Sequence, residues 1–201
     1  FTTAGDVFII QNGHSMGLSA NWSVTGNVEI NDGGILTTST RTITISGTFT
    51  VGSGSGGTFN INSTSGSKNF YGLVTINSGA TWNNSANEAV TSRGGIANNG
   101  TFNAGTGTYP FNTNAQEISG TISIPNVSVT GIILTNSGNL SVGTALSGTT
   151  GTLTNEGTLN MLGTCSIGST SGGLNNSGNF NLPGTGNTRT PLVRFINTGI
   201  V

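Results

Sequence analysis

LTNSGNL at 134–140, LTNEGTL at 153–159 and LNNSGNF at 174–180 are three versions of one phrase. An apolar residue opens it, an Asn-rich pair and a Gly follow, and a second apolar residue closes it six positions after the first. INDGGIL at 30–36 and IANNGTF at 96–102 repeat the phrase, while IIQNGHSM at 9–16 and INSGATW at 76–82 shift its Gly by one. GGTFNI at 56–61 and ISGTISI at 118–124 keep only the second half. One Gly per unit gives Gly13, Gly34, Gly57, Gly79, Gly100, Gly120, Gly138, Gly157 and Gly178, at intervals of 18 to 23 residues. A period of that length without strict identity is the mark of a solenoid with one coil per unit.

Side chains alternate within each unit. After the Gly come Phe59 and Ile61, Phe102 and Ala104, Ile122 and Ile124, Leu140 and Val142, Leu159 and Met161, Phe180 and Leu182, with Thr, Asn or Ser between them. A period of two means a strand with one face buried. The Asn–Gly or Ser–Gly step before it supplies a positive-φ corner. The chain therefore reads as all-β: a single-stranded parallel β-helix (β-solenoid) of about nine coils of 18–23 residues. Right-handed coiling follows from the usual crossover preference. With coils about 4.8 Å apart, nine of them predict a rod of roughly 40 Å. Its inside should stack Trp82, Phe102, Ile122, Leu140, Leu159 and Phe180. One domain is expected over 1–201, with an opening coil at 1–20 and an apolar terminal strand at 191–201. Asn12, Asp32, Ser78, Asn98, Asn136, Asn155 and Asn176 take equivalent places before the Gly, as a ladder bonded from coil to coil or, alternatively, a ligand-binding one.

Composition supports this reading. Charged residues make up 5% of the chain, against about 25% in an average soluble protein. A net charge of −1 leaves no electrostatic footprint for nucleic acid or an anionic membrane. Phe, Ile, Leu and Val form about a quarter of the residues, too many for the disordered class. Gly and β-branched residues disfavour helices, and no stretch approaches the roughly 18 apolar residues of a membrane span. Starting at Phe1 without Met or a signal peptide, the sequence reads as a mature or excised product. Cys165, the only cysteine, excludes an internal disulfide and reads as a buried small hydrophobe.

The opening GDVFIIQNGHSMGLSANWSVTGNVEI at 5–30, with the NSGNL and NEGTLN units, resembles the solenoid regions of large secreted surface proteins of Bacteroidetes-type bacteria. Gly5-Asp6 and Gly13-His14 carry the likeness to the way such regions begin. The resemblance implies secretion to an extracellular or cell-surface location, and adhesion or filament building. It transfers no catalytic residue.

Enzyme chemistry on a β-helix needs clustered carboxylates, often with Ca²⁺ and a basic residue. The acids are Asp6, Glu29, Asp32, Glu88, Glu117 and Glu156, and only Glu29 and Asp32 are near neighbours. Glu29 alternates outward while Asp32 falls in a turn, so the two should diverge. His14 has no second His or Cys to share a metal with. VGSGSGG at 51–57 lacks the Lys-Ser/Thr ending of a phosphate loop and reads as a loose corner. Arg41, Arg93, Arg189, Arg194 and Lys68 are scattered. No catalytic residue, metal or cofactor is expected, and the chain reads as a non-enzyme. Seven Asn-x-Ser/Thr sequons occur, close to what chance gives with 27 Asn and 57 Ser plus Thr in 201 residues, so they carry no information about glycosylation.

Two surfaces remain. Outward residues Thr58/Asn60, Thr101/Asn103, Thr121/Ser123 and Thr158/Asn160 lead a flat uncharged array, with Asn139/Ser141 and Asn179/Asn181 beside them and Ala80 breaking the row. Such an array meets water, lies against a neighbouring rod, or binds ice. The two ends are the second surface. Val7, Phe8, Ile9 and Ile10 near the start, and Leu192, Val193, Phe195, Ile196, Ile200 and Val201 near the finish, are apolar and uncapped. Each end either folds over its own core or pairs with the next subunit. The expected partners are thus the chain itself, end to end, or covalent neighbouring domains, with cell-surface glycans or ice as further candidates. Three roles compete: a surface filament or matrix subunit, the stalk of a large adhesin, and an ice-binding protein.

Overall fold

The computed structural model describes residues 5–165, 171–182 and 195–200. The burial expected of Cys165 and the placements of Leu192, Val193 and Val201 lie outside the described residues. The described strands pair in parallel and stack as a β-solenoid of about eight turns, with no helix among them. The chain divides into two compact units, Phe1–Gly107 and Thr108–Val201.

In the first unit the coils contribute short strands to three parallel sheets. The first face holds Val7–Ile10, Asn27–Ile30, Phe49–Val51, Val74–Ile76 and Ile96–Asn98. The second holds Ser15–Gly17, Ile35–Thr37, Thr58–Asn60, Thr81–Asn83 and Thr101–Asn103. Trp22–Val24, Ile43–Ile45, Lys68–Phe70 and Val90–Ser92 form the third. Alternation turns every second side chain inward. Phe8, Val28, Phe49, Val74 and Ile96 make one inward column, and Ile10, Ile30, Val51, Ile76 and Asn98 its companion. One aromatic ring from each face meets at the centre. Phe49 lies 4.9 Å from Phe59 and 5.2 Å from Phe70, and Trp82 of the next coil sits 4.8 Å from Phe59.

The core of the second unit is mostly aliphatic. Ile122, Leu140, Leu159 and Phe180 stack in the expected order, and all four are buried. The strand Gln116–Val129 runs through three sides of one coil, with a register irregularity between Ile124 and Asn126. Pro125 sits there and has no N–H to give a ladder. The first face of this unit stacks residues 116–118, Ile133–Asn136, Thr152–Asn155, Gly173–Asn176 and Phe195–Asn197.

Register corrects the repeat alignment by two residues. The shared phrase equates Ile96 with Ile30, yet Ile96 stacks on Val74, and Asn98 stacks on Ile76 in the column of Ile30. The cause is two kinds of corner. Ile30 and Ile76 are six residues before Leu36 and Trp82, while Asn98, Asn136, Asn155 and Asn176 are four before Phe102, Leu140, Leu159 and Phe180. A two-residue slip leaves every side chain on its own face, so the core survived the misalignment. FINTGIV at 195–201 is a further copy of the phrase, 21 residues after LNNSGNF. Its strand Phe195–Asn197 is an ordinary rung, in register with Leu174–Asn176.

The corners need glycine for different reasons. Gly13, Gly57 and Gly79 have positive φ, as expected. Gly138, Gly157, Gly178 and Gly199 do not. A Cβ there would come within 2.0–2.2 Å of the carbonyl oxygen of the glycine one coil earlier. These glycines are required by the close approach of one backbone to the next.

Substitution by Asn separates the two types, because Asn tolerates the left-handed region. Gly13→Asn should cost less than about 1 kcal/mol, since a Cβ there meets nothing within 4 Å. Gly157→Asn should cost about 1–3 kcal/mol or more, the price of overpacking. Urea midpoints of the two variants check this.

Candidate interaction surfaces

Each unit carries, on the outward side of one sheet, a set of in-register polar columns. In the first unit Thr58, Thr81 and Thr101 follow one another, and beside them Asn60, Asn83 and Asn103. Ala80 does not break this row. It is buried at the corner, and Thr81 and Asn83 carry the row past it on either side of inward Trp82. The alternation that turns Trp82 inward already places Thr81 and Asn83 outward. Ile35 and Gly17 do interrupt the two columns in the earlier coils. In the second unit the columns are Thr121, Asn139, Thr158, Asn179 and Ser123, Ser141, Asn160, Asn181. The amides bond along the stack: Asn103 Nδ2 donates to Asn83 Oδ1 (2.9 Å), Asn83 Nδ2 to Asn60 Oδ1 (3.2 Å) and Asn181 Nδ2 to Asn160 Oδ1 (2.8 Å). The columns of each unit are uncharged and stiffened by their own amides.

A second ladder is buried. Asn136 Nδ2 donates to Asn155 Oδ1 (2.7 Å), Asn155 to Asn176 (2.5 Å) and Asn176 to Asn197 (2.7 Å). Each of the three donors also reaches a backbone carbonyl of the next coil, on Thr158, Asn179 or Ile200. Ile118 occupies the preceding place in register, and Asn136 Oδ1 is buried with no partner among the described residues. Asn12, Asp32 and Ser78 are not part of this ladder, since they lie two residues beyond Ile10, Ile30 and Ile76.

The Gly-Ser corner is not loose. Backbone N–H groups of Ser53, Gly54, Ser55 and Gly56 all converge on Asp32 Oδ1 at 2.9–3.1 Å. Ser55 Oγ adds a bond to Oδ2 at 3.1 Å. Such a run of N–H groups is an anion nest, filled here by the chain's own carboxylate. The bonds, that from Ser55 N–H foremost, hold the Asp32 carboxyl at about 2. Its nominal neighbour Glu29 lies between inward Val28 and Ile30 on the first face, so the two acids diverge as expected.

Lys68, one of several cations scattered through the sequence, is buried. It stacks between Ile43 and Val90 on the third face. Its ammonium donates to the carbonyls of Gly66 (2.6 Å), Ser65 (2.9 Å) and Arg41 (3.2 Å). Burial lowers its pKa against an opposing attraction from Glu88, and burial likewise raises the Glu88 carboxyl. Alternation with Phe70 was the available signal. His14 Nδ1 lies 3.1 Å from the Asn12 carbonyl oxygen. Ser137 donates its hydroxyl to Glu117 in the neighbouring coil. Among the described residues no three His, Cys, Asp or Glu gather as a metal site, and no helix is long and apolar enough to cross a membrane.

The end rungs expose apolar surface. Val7 (47%) and Ile9 (45%) point outward, while Phe8 meets Trp22 edge-on at 5.0 Å and Ile10 is buried. At the other end Phe195 (43%), Ile196 (39%) and Ile200 (71%) are exposed, although the Phe195 ring lies 5.6 Å from Phe180. Both strands are rungs paired on one side, each last in its sheet order among the described residues. No family model, curated protein or solved structure matches the chain.

The nest makes a pH prediction. The Asp32 pKa falls on folding from 3.8 to about 2, so its stabilisation is complete above the unfolded value and is lost as pH drops through the folded one. Between pH 4 and 2 the wild-type unfolding midpoint should fall further than that of Asp32→Asn, measured by circular dichroism in urea. Equal slopes would count against the nest.

Proposed function

We propose that this chain is a non-enzymatic structural segment of a secreted surface filament, matrix or adhesin, built to be continued rung on rung at its ends. The observation that carries this reading is the pair of end rungs. Val7–Ile10 and Phe195–Asn197 keep the register of their sheets, present a strand edge, and expose apolar side chains beside it. An exposed edge of this kind is a template for another strand. Low charge removes the repulsion that would keep solenoids apart. Internal use of the polar groups supports a structural role. Four N–H groups hold Asp32, three carbonyls hold Lys68, and the outward Asn side chains bond to each other along their column.

Two neighbours fit these ends: a second copy joined end to end, and adjoining coils of a longer surface protein. The first predicts concentration-dependent assemblies in sedimentation velocity, dispersed by Ile196→Lys or Val7→Lys, which place a charge beside an edge. A strictly monomeric species at high concentration excludes that neighbour and leaves the second. The second then requires coils of the same type encoded next to this segment, and a full reading frame without them sinks the proposal.

A further inference from the structure

The edge of Phe195–Asn197 presents more than apolar surface. In each earlier step of the buried ladder, one Asn makes the same four connections to the following coil. Asn155 is the clearest case. Its Nδ2 donates to Asn176 Oδ1 and to the Asn179 carbonyl, and its own carbonyl accepts the N–H groups of Ser177 and Gly178. Asn176 repeats this with Asn197, Ile200, Thr198 and Gly199. Asn197 Oδ1 accepts from Asn176, and its Nδ2 donates to the Gly199 carbonyl of its own rung. Among the described residues nothing from a following coil meets its second amide hydrogen or its carbonyl oxygen. The ladder is directional, and it ends here on a donor.

We infer that this edge is selective: it takes a strand of the form apolar-x-Asn-x-Gly-x-apolar in parallel register. The incoming Asn Oδ1 accepts from Asn197 Nδ2. The incoming Gly lies against Gly199, as Gly199 lies against Gly178, where a Cβ would come within 2.1 Å of a carbonyl oxygen. The opening apolar residue of the incoming strand covers Phe195, as Phe195 covers Leu174. The opening rung of a second copy does not meet this specification. It places Phe8 and Ile10 inward and turns through the six-residue corner from Ile10 to Met16. Ile10 offers no acceptor, so the Asn197 donor would be buried against a hydrocarbon. The partner is therefore a further rung of the Asn type, supplied by adjoining coils of a longer chain. This rests on the proposed reading of the ends as extendable, and it chooses between the two neighbours.

Fluorescence anisotropy of labelled peptides on the full chain tests it. The probes are residues 171–182 (SGGLNNSGNFNL), the same peptide with Asn176→Leu, and residues 5–18 (GDVFIIQNGHSMGL). The first peptide should bind about three- to tenfold more tightly than the second, the ratio expected for one buried hydrogen bond. It should also outbind the third, and its advantage over the Leu peptide should vanish on Asn197→Leu protein. Equal binding of the first two overturns the selectivity while leaving extendable ends intact. A preference that persists on Asn197→Leu protein also overturns it, because it then belongs to the peptide. Binding of none of the three overturns both this inference and the reading on which it rests.

Discussion

The structure depends on one constraint: each stretch of backbone must lie against a stretch 18 to 25 residues away, at the distance of a parallel β-ladder. At that spacing a side chain meets its own counterpart in the next coil. Residues that tolerate stacking on themselves are therefore repeated. Aliphatic groups and aromatic rings stack inside, Asn amides bond head to tail, and glycines let two carbonyl-bearing corners touch. Where a coil is longer, the excess is absorbed at a corner, as in the Gly-Ser loop around Asp32.

The same constraint explains the scarcity of charge. A Lys or Glu column would set like charges within a few ångströms of each other at every turn. Asn and Thr avoid this and still satisfy hydrogen bonds between coils. The few ionic groups that face other parts of the structure are neutralised locally. Asp32 fills a ring of N–H groups, and Lys68 hangs its ammonium on corner carbonyls beside Glu88. The polarity of the buried Asn ladder follows as well. Each amide gives its donor forward, which leaves an orphan acceptor at Asn136 and, among the described residues, an Asn197 amide that bonds within its own rung and to no following coil.

Much of this was legible in the sequence because a period of two survives an error of two. Leu140, Leu159 and Phe180 face inward as their alternation predicts, while Ile96 stands one pair of residues away from the column that its phrase suggests. The corner lengths were hidden because Ile30 and Ile96 begin phrases of equal length but enter them at different points. Glycine was assigned to φ throughout, since sequence shows a small residue and not the neighbour that crowds it. Asp32 and its nest lie about one coil apart in sequence, so no local pattern links them. The burial of Lys68 is hidden in the sequence because its charge points to solvent while its alternation with Phe70 points inward. The apolar run around Phe195 masked a copy of the very phrase that reveals the fold.

Side-chain amide exchange reports on the stacking most directly. The carboxamide protons of Asn155 and Asn176, buried and bonded to the next coil, should persist in D₂O and show nuclear Overhauser contacts to one another. Those of Asn12, exposed at its corner, should be gone within the dead time. Equally fast exchange at all three, or contacts from Asn155 to a residue two positions out of register, would contradict the account.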